Sequence, residues 1–208
     1  MGRLVCAEVE AAPDLSLVWT HGRSLPAEHA AVDVIVDFSV PDGLRRLLSV
    51  ARCPVVSGTT GLTVESPAVP LLHAPNFSLG VAVLARLVRD AARALPGWEV
   101  EVVELHHHAK RDAPSGTALR LVDGLGTPVN GHAGLRQPGE IGLHAVRGGD
   151  VVGEHTVYLF GPGERLNLGH VASDRRLFAL GALTAARWMV GRPAGLYRIE
   201  DVLGGDPP

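Results

Sequence analysis

Lysine is all but missing from this 208-residue chain: of its 19 basic side chains 18 are arginine, and the single lysine is Lys110. Cysteine is nearly as scarce. Cys6 and Cys53 are too few and too far apart for a disulfide framework, and neither has a neighbouring histidine or second cysteine to mark a nucleophile or metal ligand. Both are expected to be small packing residues. No run of basic residues is present and the formal charge is −3, which argues against a nucleic-acid or membrane-surface role. There is no signal-peptide pattern, no long apolar span, no internal repeat and no low-complexity linker. The expected location is therefore the cytoplasm.

What is present is an ordinary globular composition, 46% hydrophobic and 20% charged, long enough to bury a core in one or two domains. The runs Val32–Phe38 and Pro54–Ser57 are β-branched and end in polar or glycine-bearing turns, Ser39-Val40-Pro41-Asp42-Gly43 and Gly58-Thr59-Thr60-Gly61. A helix is predicted between them over Pro41–Ala51, which makes a βαβ rhythm. Val69–His73 is a third run and leads to Ala74-Pro75-Asn76-Phe77; a further strand is predicted at Leu15–Trp19. In parallel open sheets the loops at the carboxyl ends of strands form the ligand crevice.

Ser78–Leu95 has helical spacing with a serine cap and a Pro96-Gly97 stop. The texture then changes. Trp98–Leu105 alternates with period two, and Gly139–Arg147, Val151–Leu159 and Arg165–Val171 read as strands joined by short glycine turns, which predicts antiparallel pairing. Such a sheet leaves one face to be covered, so a homo-oligomer is expected. Asp174–Val190 is predicted helical, and the tail 195–204 is free to return to the first domain.

The chemistry concentrates in His106-His107-His108-Ala109-Lys110-Arg111-Asp112-Ala113-Pro114-Ser115-Gly116-Thr117-Ala118. Lysine, unlike arginine, has a pKa that burial can move, so its one appearance here points to chemistry. Glu104, His106 and His108 share a face if the strand persists, with His107 opposite. Two such histidines need a third partner to hold zinc, and the sequence offers only scattered candidates: His73, Asp112, His132, His144, His155 and His170. Proton donation and substrate contact explain the cluster with fewer assumptions, so no metal is expected. Ser115 or Thr117 caps a helix predicted to run toward Leu125, and its amino end with Gly116 suits a carboxylate.

These residues, with Asp37-Phe38-Ser39, Gly58-Thr59-Thr60-Gly61, Asn76-Phe77-Ser78, Gly153-Glu154-His155-Thr156, Ala172-Ser173-Asp174-Arg175 and the segment from Gly195-Leu196-Tyr197 to Asp201-Val202-Leu203, resemble the 4-hydroxy-tetrahydrodipicolinate (dihydrodipicolinate) reductase family. The resemblance implies a Rossmann-like parallel-sheet domain, lacking its first strand here, plus an α+β domain with a mixed or antiparallel oligomerisation sheet. The implied division is 1–77 with 176–208 for dinucleotide and 78–175 for substrate and assembly as a homotetramer. It further implies reduction of a cyclic dicarboxylate by NADPH or NADH in diaminopimelate and lysine biosynthesis. His106 and Lys110 would be the proton donors; His107, Ser115, Gly116 and Thr117 would bind substrate; Met1, Gly2, Gly58, Thr59, Thr60, Ala74, Pro75, Asn76 and Phe77 would meet the cofactor. Arg23, after the predicted second strand, tilts the preference toward NADPH.

The departure is at the amino end, where the family opens with a strand and a glycine-rich turn whose last residues match Met1-Gly2-Arg3. The expectation is a start codon placed one motif too late. A genuinely shortened chain would bind dinucleotide weakly and serve as a dicarboxylate-binding or regulatory subunit, and a metal-dependent hydrolase is the rival enzyme class.

Overall fold

A computed structural model describes residues 1–22 and 31–204. Arg23 lies outside the described residues. In chain order the elements are α1 (Gly2–Ala11), β1 (Ile35–Asp37), α2 (Pro41–Val50), β2 (Val55–Ser57), β3 (Pro70–His73), α3 (Leu79–Ala94), β4 (Glu99–His106), α4 (Gly116–Leu121), β5 (Thr127–Val129), β6 (Glu140–Arg147), β7 (Gly153–Gly161), β8 (Glu164–Ala172), α5 (Arg176–Met189) and β9 (Gly195–Tyr197), closed by a 3-10 turn at Ile199–Leu203. They form two compact units, Met1–Leu79 with Arg176–Pro208, and Gly80–Arg175. Among the described residues no helix is long and apolar enough to cross a membrane.

The first unit is built on a four-stranded parallel sheet in the order β1-β2-β3-β9. Successive strand residues point to opposite faces, and both faces are covered, as a parallel sheet requires. Ile35, Val55 and Leu71 pack with Leu44 and Leu47 of α2. Val36 and Phe38 pack against Val5 of α1 and Ala179 and Leu183 of α5. Two bidentate ion pairs join α5 to α1 and to the turn after it: Arg176 to Glu8 at 2.5 and 3.0 Å, and Arg187 to Asp14 at 2.7 and 2.8 Å.

The segment 15–19 is not a strand. Leu15 and Trp19 pack by their side chains, against the α1/α5 cluster and the α2 cluster respectively, while Leu17 and Val18 are exposed. Its apolar residues are taken up as plugs, with no ladder to make them a strand.

The second unit is a five-stranded mixed sheet in the order β5-β6-β4-β7-β8. The antiparallel pairing expected between 139–147 and 151–159 does not occur, because β4 lies between them, parallel to β6 and antiparallel to β7. The short Gly148-Gly149-Asp150 connection therefore spans a strand rather than closing a hairpin. Only β7 and β8 form the expected antiparallel pair. Even-numbered β4 residues such as Val100 and Val102 join Leu84 and Val88 of α3 and Ala118 and Leu121 of α4 in one core. The helix expected to reach Leu125 stops at Leu121, after which the chain turns into β5.

Gly181 shows how closely the loop after β3 is packed. A Cβ on this α5 residue would lie 1.8 Å from the carbonyl oxygen of Phe77, a backbone atom that cannot step aside. Glycine-to-alanine exchange inside a helix ordinarily stabilises by up to about 1 kcal/mol. Here Gly181→Ala should instead destabilise, by about 1–3 kcal/mol from overpacking. The check is the urea midpoint, and an unchanged or raised midpoint would refute the close approach.

Candidate active site

In the first unit the loops after β2 and β3 emerge side by side at the carboxyl ends of adjacent parallel strands. Asp37, at the end of β1, ties the loop after β2 to the start of its own loop. Its Oδ2 accepts hydrogen bonds from Ser57 Oγ at 2.7 Å and Thr59 Oγ1 at 2.8 Å, and its Oδ1 accepts from the Ser39 amide at 3.2 Å. The carbonyl of Thr59 lies 2.6 Å from His73 Nε2. Thr59 is thus buried as a strut, while Gly58, Thr60, Pro75 and Asn76 retain exposed surface.

Gly58 is required by its neighbour, since a Cβ there would lie 2.3 Å from the Phe38 ring. Phe77 is buried and meets Phe38 edge to face, ring centres 5.6 Å apart, and Ala74 is likewise buried. Asn76 Oδ1 accepts from the Ser78 amide at 2.8 Å and sets the entry to α3. Met1 is the N-cap of α1, its carbonyl accepting from Leu4 and Val5, and Gly2 has open space around it.

The second unit carries the His/Lys segment. Strand β4 ends at His106, so Glu104 and His106 share the helix-covered face, but His108 leaves it and contacts the Gly149 carbonyl at 2.9 Å instead. Lys110 lies on the following turn, 2.8 and 2.9 Å from the two oxygens of Asp112. His107 is half-buried on the same turn, its carbonyl accepting from the Lys110 amide.

Glu104 is 0% exposed, yet charged partners surround it. Its Oε1 accepts from the Ser115 amide and from Arg147 Nη2, each at 2.9 Å. Its Oε2 lies 3.1 Å from His106 Nδ1 and 3.6 Å from His155 Nε2. The His106 contact is a charge approach rather than an aligned hydrogen bond, and neither of its two atoms makes a hydrogen bond elsewhere. Burial alone would raise the Glu104 carboxyl; hydrogen bonds from Ser115 and Arg147 outweigh it and hold the pKa below the usual carboxylate range.

Burial pulls the His106 imidazole below the usual histidine range, the Glu104 charge opposes this, and Lys110 and Arg147 reinforce it. His155 is 4% exposed and stacks edge to face on His106, ring centres 5.1 Å apart. Its Nε2 is 3.3 Å from Ser115 Oγ. Burial, followed by the charge of His106, pushes its pKa down to about 4.

Ser115 is the cap of the helix start. It is 2% exposed, its hydroxyl accepts from the Ala118 amide as the cap of α4, and its own amide is spent on Glu104. Gly116 and Thr117 form the accessible rim of that helix start. Arg147 and His155 escaped assignment from the residues alone because they reach Glu104 only through strand register: His155 faces Glu104 across β4–β7, and Arg147 faces His106 across β4–β6.

Among the described residues two groups hold enough nitrogen and oxygen donors for a metal ion: Glu104, His106 and His155, and, on the other sheet face, Glu101, His132 and His144. In each, an arginine already compensates the carboxylate, Arg147 on Glu104 and Arg136 on Glu101. Both read as ion-pair networks. In the second, His132 and His144 each approach Glu101 to 2.8 Å, above a Gly142 whose Cβ would strike all three side chains.

A doubly covered parallel sheet with glycine-bearing loops at its strand ends, together with a mixed-sheet unit carrying a buried Glu/His pair and a capped helix start, defines a two-unit α/β enzyme of the dinucleotide-dependent reductase class. Comparison with known proteins agrees. The family models described as dihydrodipicolinate reductase, N-terminus and C-terminus, match residues 1–77 and 80–203. A 4-hydroxy-tetrahydrodipicolinate reductase of Syntrophotalea carbinolica is 44% identical over 198 residues, covering 84% of this chain and 74% of the relative. One of Myxococcus xanthus is 44% identical over 219 residues, covering 92% and 78%. A solved structure, the dipicolinate-bound dihydrodipicolinate reductase of Paenisporosarcina sp. TG-14, superposes with a TM-score of 0.73 at 21% identity over 96% of this chain and 94% of that one, which establishes the shared fold. The chain belongs to the dihydrodipicolinate reductase family, whose members are NAD(P)H-dependent oxidoreductases.

The depressed His155 value has a consequence for stability. As pH falls from 6.5 toward about 4 the unfolded chain takes up a proton that the folded chain refuses, so stability is lost on acidification through that window. The full contribution is roughly 3 kcal/mol. Urea midpoints at pH 7 and pH 4.5 should therefore differ less in His155→Gln than in the parent chain; equal differences would show that His155 titrates normally.

Proposed function

We propose that this chain reduces 4-hydroxy-tetrahydrodipicolinate to tetrahydrodipicolinate, with loss of water, in the route through diaminopimelate to lysine. The observation that carries this reading is the buried Glu104–His106 pair at the end of β4, beside a turn bearing the only lysine and a capped helix start. NADPH or NADH, when bound, supplies the hydride. Gly58, Thr60, Pro75 and Asn76 fit such a ligand, since they offer backbone and small groups at two adjacent parallel strand ends, with Thr59, Ala74 and Phe77 holding the loops from beneath. Met1 and Gly2, at the start of α1, lie where a helix amino end favours an anion.

His106 donates the proton that accompanies reduction, because it is an imidazole fixed at a strand end whose charged form Glu104 favours against burial. Lys110 is the second donor and, with His107, the cation that draws in a dicarboxylate. Gly116 and Thr117 receive one carboxylate at the start of α4, and Ser115 keeps that start open from below. The charge of Glu104 is internally met by Arg147 and Ser115, so it makes no demand on the helix rim or on Lys110, whose own partner is the exposed Asp112.

The assembly proposed is a homotetramer joined through the β4–β8 sheet. The face away from α3 and α4 carries Val146, Phe160 and Val171, all exposed, with Tyr158 stacked on Phe160. The proposed location is the cytoplasm.

His106→Gln should lower kcat about 100-fold, the scale of a lost general acid, while the Kd for NADPH, read by fluorescence titration, changes less than about twofold. A loss of cofactor binding equal to the loss of turnover would overturn the proton-donor role. Lys110→Arg, assayed beside it, should also lose turnover; full activity would reduce Lys110 to a charge.

A further inference from the structure

We propose that Glu104 is the positioning residue of this site, one buried carboxylate that fixes the His106 imidazole with one oxygen and the start of α4 with the other. The inference rests on the reading of His106 as proton donor and assigns Glu104 a role that neither its composition nor its neighbourhood in sequence reveals. Glu104 is sealed from solvent, so it touches no substrate and acts only through its neighbours. Its Oε1 holds the Ser115 amide, hence the cap of α4 and the carboxylate-binding rim at Gly116 and Thr117. Its Oε2 faces His106 Nδ1.

An imidazole has two nitrogens, and the partner of one decides what the other does. An anion 3.1 Å from Nδ1 favours a proton on that nitrogen by charge even without an aligned hydrogen bond, so the proton of neutral His106 resides on Nδ1 and Nε2 is the atom that gains and gives the transferable proton. Space for Nε2 comes from Gly153, where a Cβ would lie 3.1 Å from it. The ring is held on its side by the His155 imidazole, which is itself placed by Ser115 Oγ.

The charge balance gives Glu104 a second effect. The titratable groups that act on His106 are Glu104 and Asp112, which favour the imidazolium, and Lys110, Arg147 and the His155 ring, set against it or neutral. Removing the Glu104 charge leaves burial and two cations opposed by Asp112 alone. The imidazolium form needed for donation is then lost at lower pH.

The test is Glu104→Gln in the full chain, assayed with NADPH and enzymatically generated substrate from pH 5 to 9. Glutamine keeps the size of the side chain and an oxygen for Ser115 and Arg147. It should fold, bind NADPH with unchanged Kd, lose about 100-fold in kcat at neutral pH and move the basic limb of the kcat profile downward by about one pH unit or more. A basic limb at the parental pH would overturn the inference, because a merely structural loss scales the profile without moving it. Glu104→Asp, which keeps the charge and shortens the reach, should restore the limb toward its parental pH while KM rises through the slackened α4 start. A limb as displaced as in Glu104→Gln would count against the charge argument.

A second measurement needs neither turnover nor a Glu104 variant. Nitrogen-15 NMR of the parent chain above the His106 pKa, with His106→Gln to assign the signals, should show Nδ1 protonated and Nε2 bare; the opposite tautomer overturns the proposal. The two readings fail separately. Parental turnover in His106→Gln sinks the proton-donor role, whereas a dead His106→Gln with an unshifted Glu104→Gln profile sinks only the role of Glu104.

Discussion

A carboxylate sealed from water must be met on every side, and the second unit is arranged around that requirement at Glu104. Unpaired burial of such a charge costs several kcal/mol. Here the cost is offset by an arginine from β6, an amide from the start of α4 and imidazoles from β4 and β7. Each partner comes from a different stretch of chain, so satisfying one residue fixes strand order, helix start and the orientation of His106 together. This is why β4 occupies the middle of the sheet: only a central strand can face partners on both neighbours.

The first unit solves a smaller version of the same problem. Asp37 is buried at the end of β1 and takes hydroxyls from Ser57 and Thr59 and an amide from Ser39. Its four-atom side chain thereby draws the loops after β1 and β2 together. In both units a buried carboxylate near the carboxyl end of a strand holds a loop from below, and the groups on the loop's outer side are left for ligand. The sheet beneath each loop supplies rigidity, which is what places a reacting group to within a fraction of an ångström.

Much of this was legible in the residues. The βαβ rhythm of 32–57, the helix after Phe77, the alternating strand before His106 and the serine cap of α4 follow from local spacing, and the structure has them. The His/Lys segment announced the site, and the resemblance that it carried led to the family. Other readings failed for identifiable reasons. Leu15–Trp19 has strand-like composition, but composition cannot supply a pairing partner. The glycine turn at 148–150 is short enough for a hairpin, and loop length alone does not reveal that another strand lies between its ends. The burial of Ser115 was not legible either, since serine before a helix suits both a cap and a carboxylate.

The sequence by itself determined most of the helices and strands, where the histidines and the lysine gather along the chain and which family the chain joins, because periodicity, capping and motif spacing are local properties of neighbouring residues. Tertiary structure alone decided that Glu104 meets Arg147 and His155, that Asp37 braces the Thr59 loop and that Gly181 must lack a side chain beneath Phe77. Those contacts join residues 22 to more than 100 positions apart. Their register is set by which strands lie side by side and by the requirement that buried charge be paired, and neither is written in any single stretch of chain.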